Sequence, residues 1–365
     1  VIAALKDFTD RVFGRGDAAI TVPPFDGALK PNQLLEEAAV VCELEAPEDL
    51  ATDGQAVFVA DGARILRLDA GGPAEVAAAD GTITALACLP GGGFAVALDG
   101  ERVRLMGGAH DGRTWDAAGG RAFKAVNALS AAPDGGLLAT DGSQARPYGQ
   151  WSHDLMELGR SGRLIQLSPA DGGAREIASG LAYSFGACAA DGTAWVCESW
   201  RHRVVRYNGT GAGAVVVDRL PAYPSRLTPA TGGGYWLTAF TARTQLIEFI
   251  LREPAYRKRM MAEIDPRYWM APSLSASTSF LEPMQGAHIK TMGILKPWAP
   301  PRSYGLVMRL STEGLVRYSL HSRVDGTHHG VVAAVECGGA LTVLSKGRRR
   351  VLRLDVADIE RSLQA

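Results

Sequence analysis

Short runs of alternating apolar and polar residues, each introduced by a turn of Asp, Gly or Pro, recur along this chain and predict antiparallel β-structure. Six copies of one unit stand out: TDGQAVFVAD (52–61), PGGGFAVALD (90–99), PDGGLLATD (133–141), ADGTAWVCE (190–198), ATGGGYWLTA (230–239) and ECGGALTVLS (336–345). A tight hairpin needs positive φ in its loop, which glycine adopts without a Cβ penalty, so these turns read as hairpin tips. Several copies are followed by a second alternating run with basic residues, as in ARILRLD (63–69), RVRLM (102–106), HRVVRYN (202–208) and RRVLRLD (349–355). Strand, turn, strand and basic strand make one small antiparallel sheet.

One such sheet cannot bury both faces, whereas several stacked around an axis can. The turn glycines at 54, 91, 135, 192 and 232 are separated by 37, 44, 57 and 40 residues, which suits four-stranded blades. The 106 residues between Gly232 and Gly338 exceed one blade. They are read as the end of blade five, an insertion, and the opening of blade six in YGLVMRLSTEGLVRYSL (304–320). The expected fold is therefore all-β, a six-bladed β-propeller over 41–357 with a helical and loop insertion between blades five and six. Within the insertion (241–303), Leu246, Phe249, Ile250 and Leu251 fall on one side of a helix, Pro254 breaks it, and Tyr256, Met260 and Met261 continue on a second segment. The insertion reads either as a lid over one end of the channel or as a brace on the outer wall. Residues 1–40 are expected to form a helix over 1–14 and an extended, proline-bearing strap. The tail 358–365 is expected to follow the propeller, with 356–365 forming a short packed helix.

Composition narrows the function classes. With 365 residues, 47% of them hydrophobic, the chain can bury a large core, and 43 glycines match a turn-rich fold. A net charge of −1, from 38 basic and 39 acidic side chains, argues against nucleic acid as a partner. No apolar run approaches the length that spans a bilayer, and the charged N-terminal stretch does not resemble a signal peptide. The first residue is not Met, so a fused or partner domain upstream of residue 1 stays open. Five scattered cysteines without a CxxC read as buried thiols in a reducing, cytoplasmic compartment. The sequon at Asn208 would matter only in a secreted protein, and GTGAGA (209–214) reads as a hairpin tip rather than a dinucleotide loop. Neither GxxxxGK[ST], HExxH nor GxSxG occurs. The basic run from Lys346 to Arg350 reads as a solvated turn.

Four stretches, AYSFGACAADGTAWVCESWRHRVVRY (182–207), LPAYPSRL (220–227), FILREPAYRKRMM (249–261) and PRSYGLVMRLSTEGLVRYSLHSRVDG (301–326), resemble the strictosidine synthase-like family. APED (46–49) is similar to the phrase that opens that family's first blade. The family sits within the wider six-bladed group of senescence marker protein, gluconolactonase and paraoxonase. The resemblance implies, for metal-dependent members, a channel cation such as calcium held by oxygen ligands from several blades. Carried over, those positions are Glu48, Asn127, Phe185 and Ser225 or Arg226, so two of the four family ligands are replaced here. No cofactor is therefore expected, unless Glu48 and Asn127 hold a divalent ion in an altered ligand set. The plant synthases imply a catalytic glutamate on blade six; Val332 stands at that position, and valine cannot move a proton. A Pictet–Spengler condensation is not expected.

Beside the resemblance, the residue types leave some chemistry in place. A channel carboxylate at Glu48 can act as a general base or pair with Arg226 to hold blades together. Asn127 can orient a substrate carbonyl or bond neighbouring backbone. His328 and His329 are adjacent, so on a strand they face opposite ways and at most one reaches the channel as an acid/base. Trp151 and His153, in the long 142–160 loop, are expected to close over the same mouth as Tyr183 and Phe185. His110, His202, His288 and His321 read as surface residues. The leading expectation is hydrolysis of a small lactone or ester, with Glu48 and one histidine as acid and base and Asn127 and Arg226 polarising the carbonyl. A non-catalytic small-molecule sensor and an altered metal-dependent lactonase are the alternatives.

Overall fold

The computed structural model describes residues 22–190, 192–275 and 302–364, with the backbone of two short strands at 290–291 and 294–295. Six four-stranded antiparallel sheets form the propeller. Their inner strands are Pro47–Thr52, Ile83–Cys88, Val126–Ala131, Ser184–Ala190, Ala222–Pro229 and Val331–Cys337, for blades one to six. The second strand of each blade follows its turn; Val57–Asp61 and Leu137–Asp141 are buried throughout because neighbouring blades cover both faces. The turn glycines 54, 91, 135, 192, 232 and 338 all have positive φ, so the six repeats are the hairpin tips their sequence predicts.

The acid that ends the first four repeat units has a structural use. Asp61, Asp99, Asp141 and Glu198 each accept a backbone N–H just before their own inner strand, from Ala46, Thr82, Ala125 and Ala182. A donor that strand pairing leaves unmatched is thereby satisfied at the rim. Blade six is completed by the N-terminal strand Ala39–Glu43, which pairs antiparallel with Arg350–Asp355. The first and last strands of the propeller thus pair in one sheet and close the ring.

Two boundaries differ from the sequence reading. The stretch 304–320, expected to open blade six, supplies the outer strands of blade five, Gly305–Leu310 and Val316–Ser322. The insertion therefore splits blade five between its second strand, Tyr235–Ala242, and its third. Its described part carries helix α2 (Gln245–Arg252) and helix α3 (Pro254–Glu263), preceded in the chain by α1 (Trp151–Met156) in the long blade-three loop. The Thr244 side chain caps α2 through the Ile247 N–H, and Pro254 starts α3 where its missing N–H costs nothing. Ile247, Ile250 and Leu251 face inward while Phe249 is exposed, so the buried stripe is rotated from the one expected. Most of 276–301 lies outside the described residues, as does the helix expected over 1–14.

The strap from 22 to 38 runs along blade five. Phe25 stacks on Tyr304 at 5.3 Å, Asn32 donates to Ser319 O, and Leu35 is fully buried. Helix α4 (Val356–Gln364) buries Ile359 against the same side.

Candidate functional site

Every inner strand breaks register near its start: between Pro47 and Asp49, Ile83 and Ala85, Val126 and Ala128, Ser184 and Ala187, Pro224 and Leu227, and Val331 and Ala333. Such a bulge leaves residues out of the ladder and re-aims their backbone. The bulged positions are Glu48, Thr84, Asn127, Phe185 with Gly186, Ser225 with Arg226, and Val332. They form a ring around the propeller axis. At Gly186, with φ +100°, a Cβ would meet Ser225 O at 2.5 Å and Arg226 Cα at 2.6 Å, so only glycine lets blades four and five approach here.

The guanidinium of Arg226 lies inside this ring. Nη1 donates to Glu48 O at 3.2 Å and Val332 O at 3.4 Å, and Nη2 to Thr84 O at 3.1 Å and Asn127 O at 2.5 Å. Nε lies 3.1 Å from Asp49 Oδ1, a close charge contact rather than an aligned hydrogen bond. The Phe185 ring centroid is 5.0 Å from Cζ. One side chain from blade five thus touches all five other blades. Asp49 is fully enclosed and also accepts the Leu50 and Leu86 N–H groups; burial pushes its carboxyl up to about 6, against the pull of Arg226.

Three other ring side chains each tie one blade to the next. Thr84 Oγ1 donates to Val126 O, Asn127 Nδ2 to Ser184 O, and Ser225 Oγ to Val331 O. The Asn127 carbonyl oxygen accepts from Thr140 Oγ1 as well. Both Asn127 and Ser225 are fully buried with their polar atoms engaged. Neither offers a free group to a substrate.

Glu48 behaves differently from the rest of the ring. Its Oε2 accepts from Tyr148 Oη at 2.5 Å and from Lys346 Nζ at 2.5 Å, while Lys346 also lies 5.3 Å from the Tyr148 ring centroid. Tyr148 comes from the long blade-three loop and Lys346 from the blade-six turn. The side chains of Glu48 and Lys346 keep 14% and 22% exposure, so this trio opens toward solvent where the rest of the ring is closed. Burial and the adjacent Glu48 carboxylate hold the Tyr148 phenol well above its ordinary range, keeping it protonated and a donor. Of the two alternatives for Glu48, the pairing with Arg226 is not seen: the Asp49 carboxylate takes that role, and the Glu48 carboxylate meets the cation Lys346, expected in a solvated turn.

Aromatic rings wall the mouth. Trp200 stacks on Tyr183 at 4.5 Å, and Trp151 meets Trp200 and the edge of Phe240. Asp154, on α1, accepts from Trp200 Nε1 at 2.8 Å and from Ser143 Oγ at 2.5 Å, which fixes the indole. His153 packs on Trp269 at 4.6 Å, and its Nδ1 is buried with no hydrogen-bond partner among the described residues. Tyr183 holds φ +56°, an uncommon state for a bulky residue, as it turns into the inner strand of blade four. Helices α2 and α3 set Ile247, Ile250, Leu251 and Met260 against the cluster of Tyr183, Phe185, Tyr223 and Phe240. The described part of the insertion therefore sits on the aromatic cluster that surrounds the mouth.

The expected acid/base histidines are not brought there. His328 Nδ1 bonds Leu35 O at 2.9 Å beside Glu36, and His329 bonds Ser303 Oγ and Arg323 O, both buried against the strap and blade five. His202 and His321, read as surface residues, are buried, whereas His288 lies outside the described residues. Lys346, Tyr148, Thr84 and Asp49 were missed. Asp49 and Thr84 had a signal in the repeat, since each sits at or beside the same offset from its turn; Lys346 and Tyr148 had none.

The divalent ion that the resemblance implies does not fit this ring. Its first carboxylate is paired with an ammonium, Asn127 has no free amide, Phe185 supplies a ring, and a guanidinium stands among the carbonyls. A groove of about 910 Å³ exists elsewhere, on the outer wall between the strap, blade five and α4. Among the described residues no helix is long and apolar enough to cross a membrane.

No family model matches the chain. It is 30% identical over 164 residues to the Arabidopsis thaliana protein strictosidine synthase-like 6, covering 44% of this chain and 42% of that protein. The match thus spans less than half the length of that relative. The adipocyte plasma membrane-associated protein of Salmo salar is 23% identical over 318 residues, covering 74% of this chain and 75% of that one. Among solved structures, a gluconolactonase from Xanthomonas campestris superposes with a TM-score of 0.55 at 12% identity, covering 86% of each chain. A regucalcin from Agrobacterium tumefaciens, described as calcium-binding, gives 0.52 at 12% identity, covering 87% of this chain and 92% of that one. The chain has strictosidine synthase-like homologues and the six-bladed fold of the gluconolactonase group.

Proposed function

We propose that the open trio of Glu48, Tyr148 and Lys346 hydrolyses a small lactone or ester without a metal ion. The observation that carries this reading is the Glu48 carboxylate held 2.5 Å from both an ammonium and a phenol at a partly open mouth walled by aromatic rings. Among the described residues, Glu48 Oε1 has no hydrogen-bond partner, so it is left for a water molecule. That water adds its oxygen to the substrate carbonyl carbon while Oε1 takes its proton. The Lys346 ammonium carries an N–H beyond those given to Glu48 and Tyr148, a donor for the developing oxyanion, while the one proton of Tyr148 stays on Glu48 Oε2 and fixes the carboxylate. The carbon–oxygen bond to the leaving alcohol then breaks, and the proton on Glu48 passes to the departing alkoxide. Acid and alcohol are the products, and Glu48 returns to its carboxylate.

Glu48 here takes both the base and the acid role that the sequence expectation divided with a histidine, and Lys346 takes the polarising role given there to Asn127 and Arg226. Trp151 and Trp200, both half-buried, are suited to an apolar or aromatic acyl group. Screening the purified protein against aliphatic and aryl lactones and esters provides the test. Glu48→Gln is expected to lower turnover of a confirmed substrate by roughly a hundredfold or more, the usual weight of a general base. Unchanged turnover in that variant would defeat the mechanism.

A second reading, a non-catalytic small-molecule binding module, is favoured by one observation: most ring side chains are already spent on inter-blade bonds. A ligand that binds at the mouth, is returned intact, and is lost on Trp200→Ala would support it.

A further inference from the structure

We infer that the axial ring of main-chain oxygens is a cation site whose resident cation is the Arg226 guanidinium. Carbonyl oxygens of Glu48, Thr84, Asn127 and Val332 converge there because each of their strands bulges at the same position. The Asp49 carboxylate adds a full charge. Carbonyl dipoles and a carboxylate turned inward, away from water, create a negative potential that is costly unless a positive charge fills it. Arg226 fills it with a planar fork whose nitrogens reach four carbonyls and one carboxylate. The Phe185 face completes the enclosure from blade four by a cation–π contact.

The site has two consequences. Divalent ions are excluded from the axis, because the space and the negative potential are both taken. The axis is also plugged: the guanidinium holds the main chain of Glu48 from within the ring, so Arg226 is a positioning residue for the mouth. The inference does not depend on the hydrolytic reading: it stands or falls on cation binding and stability, not on turnover.

Arg226→Ala tests it. Removing the guanidinium leaves Asp49 buried and unpaired, and the melting temperature is expected to fall by roughly 5–10 °C. Millimolar N-ethylguanidinium is expected to recover several degrees, whereas the neutral isostere N-ethylurea recovers none. Calcium is expected to stabilise the variant but not the wild-type protein. A folded, destabilised variant that neither guanidinium nor calcium rescues would overturn the inference, as would one that melts like wild type. If Arg226→Ala fails to fold, two measurements still decide. Wild-type protein should carry no stoichiometric divalent ion and melt identically with and without chelator. Arg226→Lys, one point charge for the fork, should melt lower. A stoichiometric ion whose removal lowers the wild-type melting temperature, or a lysine variant as stable as wild type, would each overturn it.

Discussion

At Asn127 an amide suited to orienting a substrate carbonyl is instead spent between blades, donating to Ser184 O and accepting from Thr140 Oγ1. Truncation to Ala would strand both partners in a fully buried position, a loss of about 1–3 kcal/mol. Chemical denaturation should show that loss as a lower midpoint, with turnover of any confirmed substrate retained; an unchanged midpoint would contradict the assignment. Neighbouring residues show how far single positions can be read from sequence. Family phrases locate Glu48, Asn127, Phe185, Arg226 and Val332 because those residues share one bulge, repeated in each blade. They do not say what each side chain touches. Glu48 and Asp49 are adjacent, yet one faces Lys346 and the other Arg226, a division that only the bulge geometry decides. The Lys346–Glu48 contact joins residues 298 positions apart, and no local pattern announces it.

Among the elements, α2 depends most on charge. Its Glu248 is buried among Arg243 Nε at 3.0 Å, His202 Nε2 at 3.4 Å and the Tyr223 hydroxyl at 3.4 Å. Hydrogen bonds and charge from His202 and Arg243 overcome the cost of burial and pull its carboxyl down to about 2. Because the folded pKa lies below the ordinary value of 4.5, this stabilisation is complete above that pH and is lost as pH falls toward 2. Glu36, which fastens the strap to Ser322, Thr327 and His328, is also lowered to about 2 and fails in the same window. Asp49 acts oppositely: raised to about 6, it makes stability decline as pH rises from about 4 toward 6. Melting temperature followed from pH 6 to 2 should therefore drop steeply below 4.5. Glu248→Gln should melt lower at neutral pH and show a shallower acid limb; an equally steep limb would remove α2 from that account. The pattern of α2 was legible as a helix broken at Pro254, but its inward face was not. Ile247 rather than Phe249 turns inward, because the aromatic mouth the helix meets is assembled from blades far away in the chain.

For the whole molecule, the blade count was readable because six hairpin tips repeat and one sheet cannot bury both faces alone. The place of the insertion was not. Its two flanks belong to one blade, and the turn between Gly305–Leu310 and Val316–Ser322 resembles the opening of the next. Closure through Ala39–Glu43 supplies the fourth strand of blade six, beside Arg350–Asp355, and so ties the start of the propeller to its end. The assembled molecule has a shut axis, with Arg226 as the plug, and an open mouth where Glu48, Tyr148 and Lys346 meet. Metal-free hydrolysis at that mouth is the central claim. It is tested most directly by the initial rate of lactone or ester cleavage by protein purified metal-free and assayed in excess chelator. The account predicts the same rate as in added calcium. A rate that collapses to background in chelator and returns with a divalent ion would contradict it.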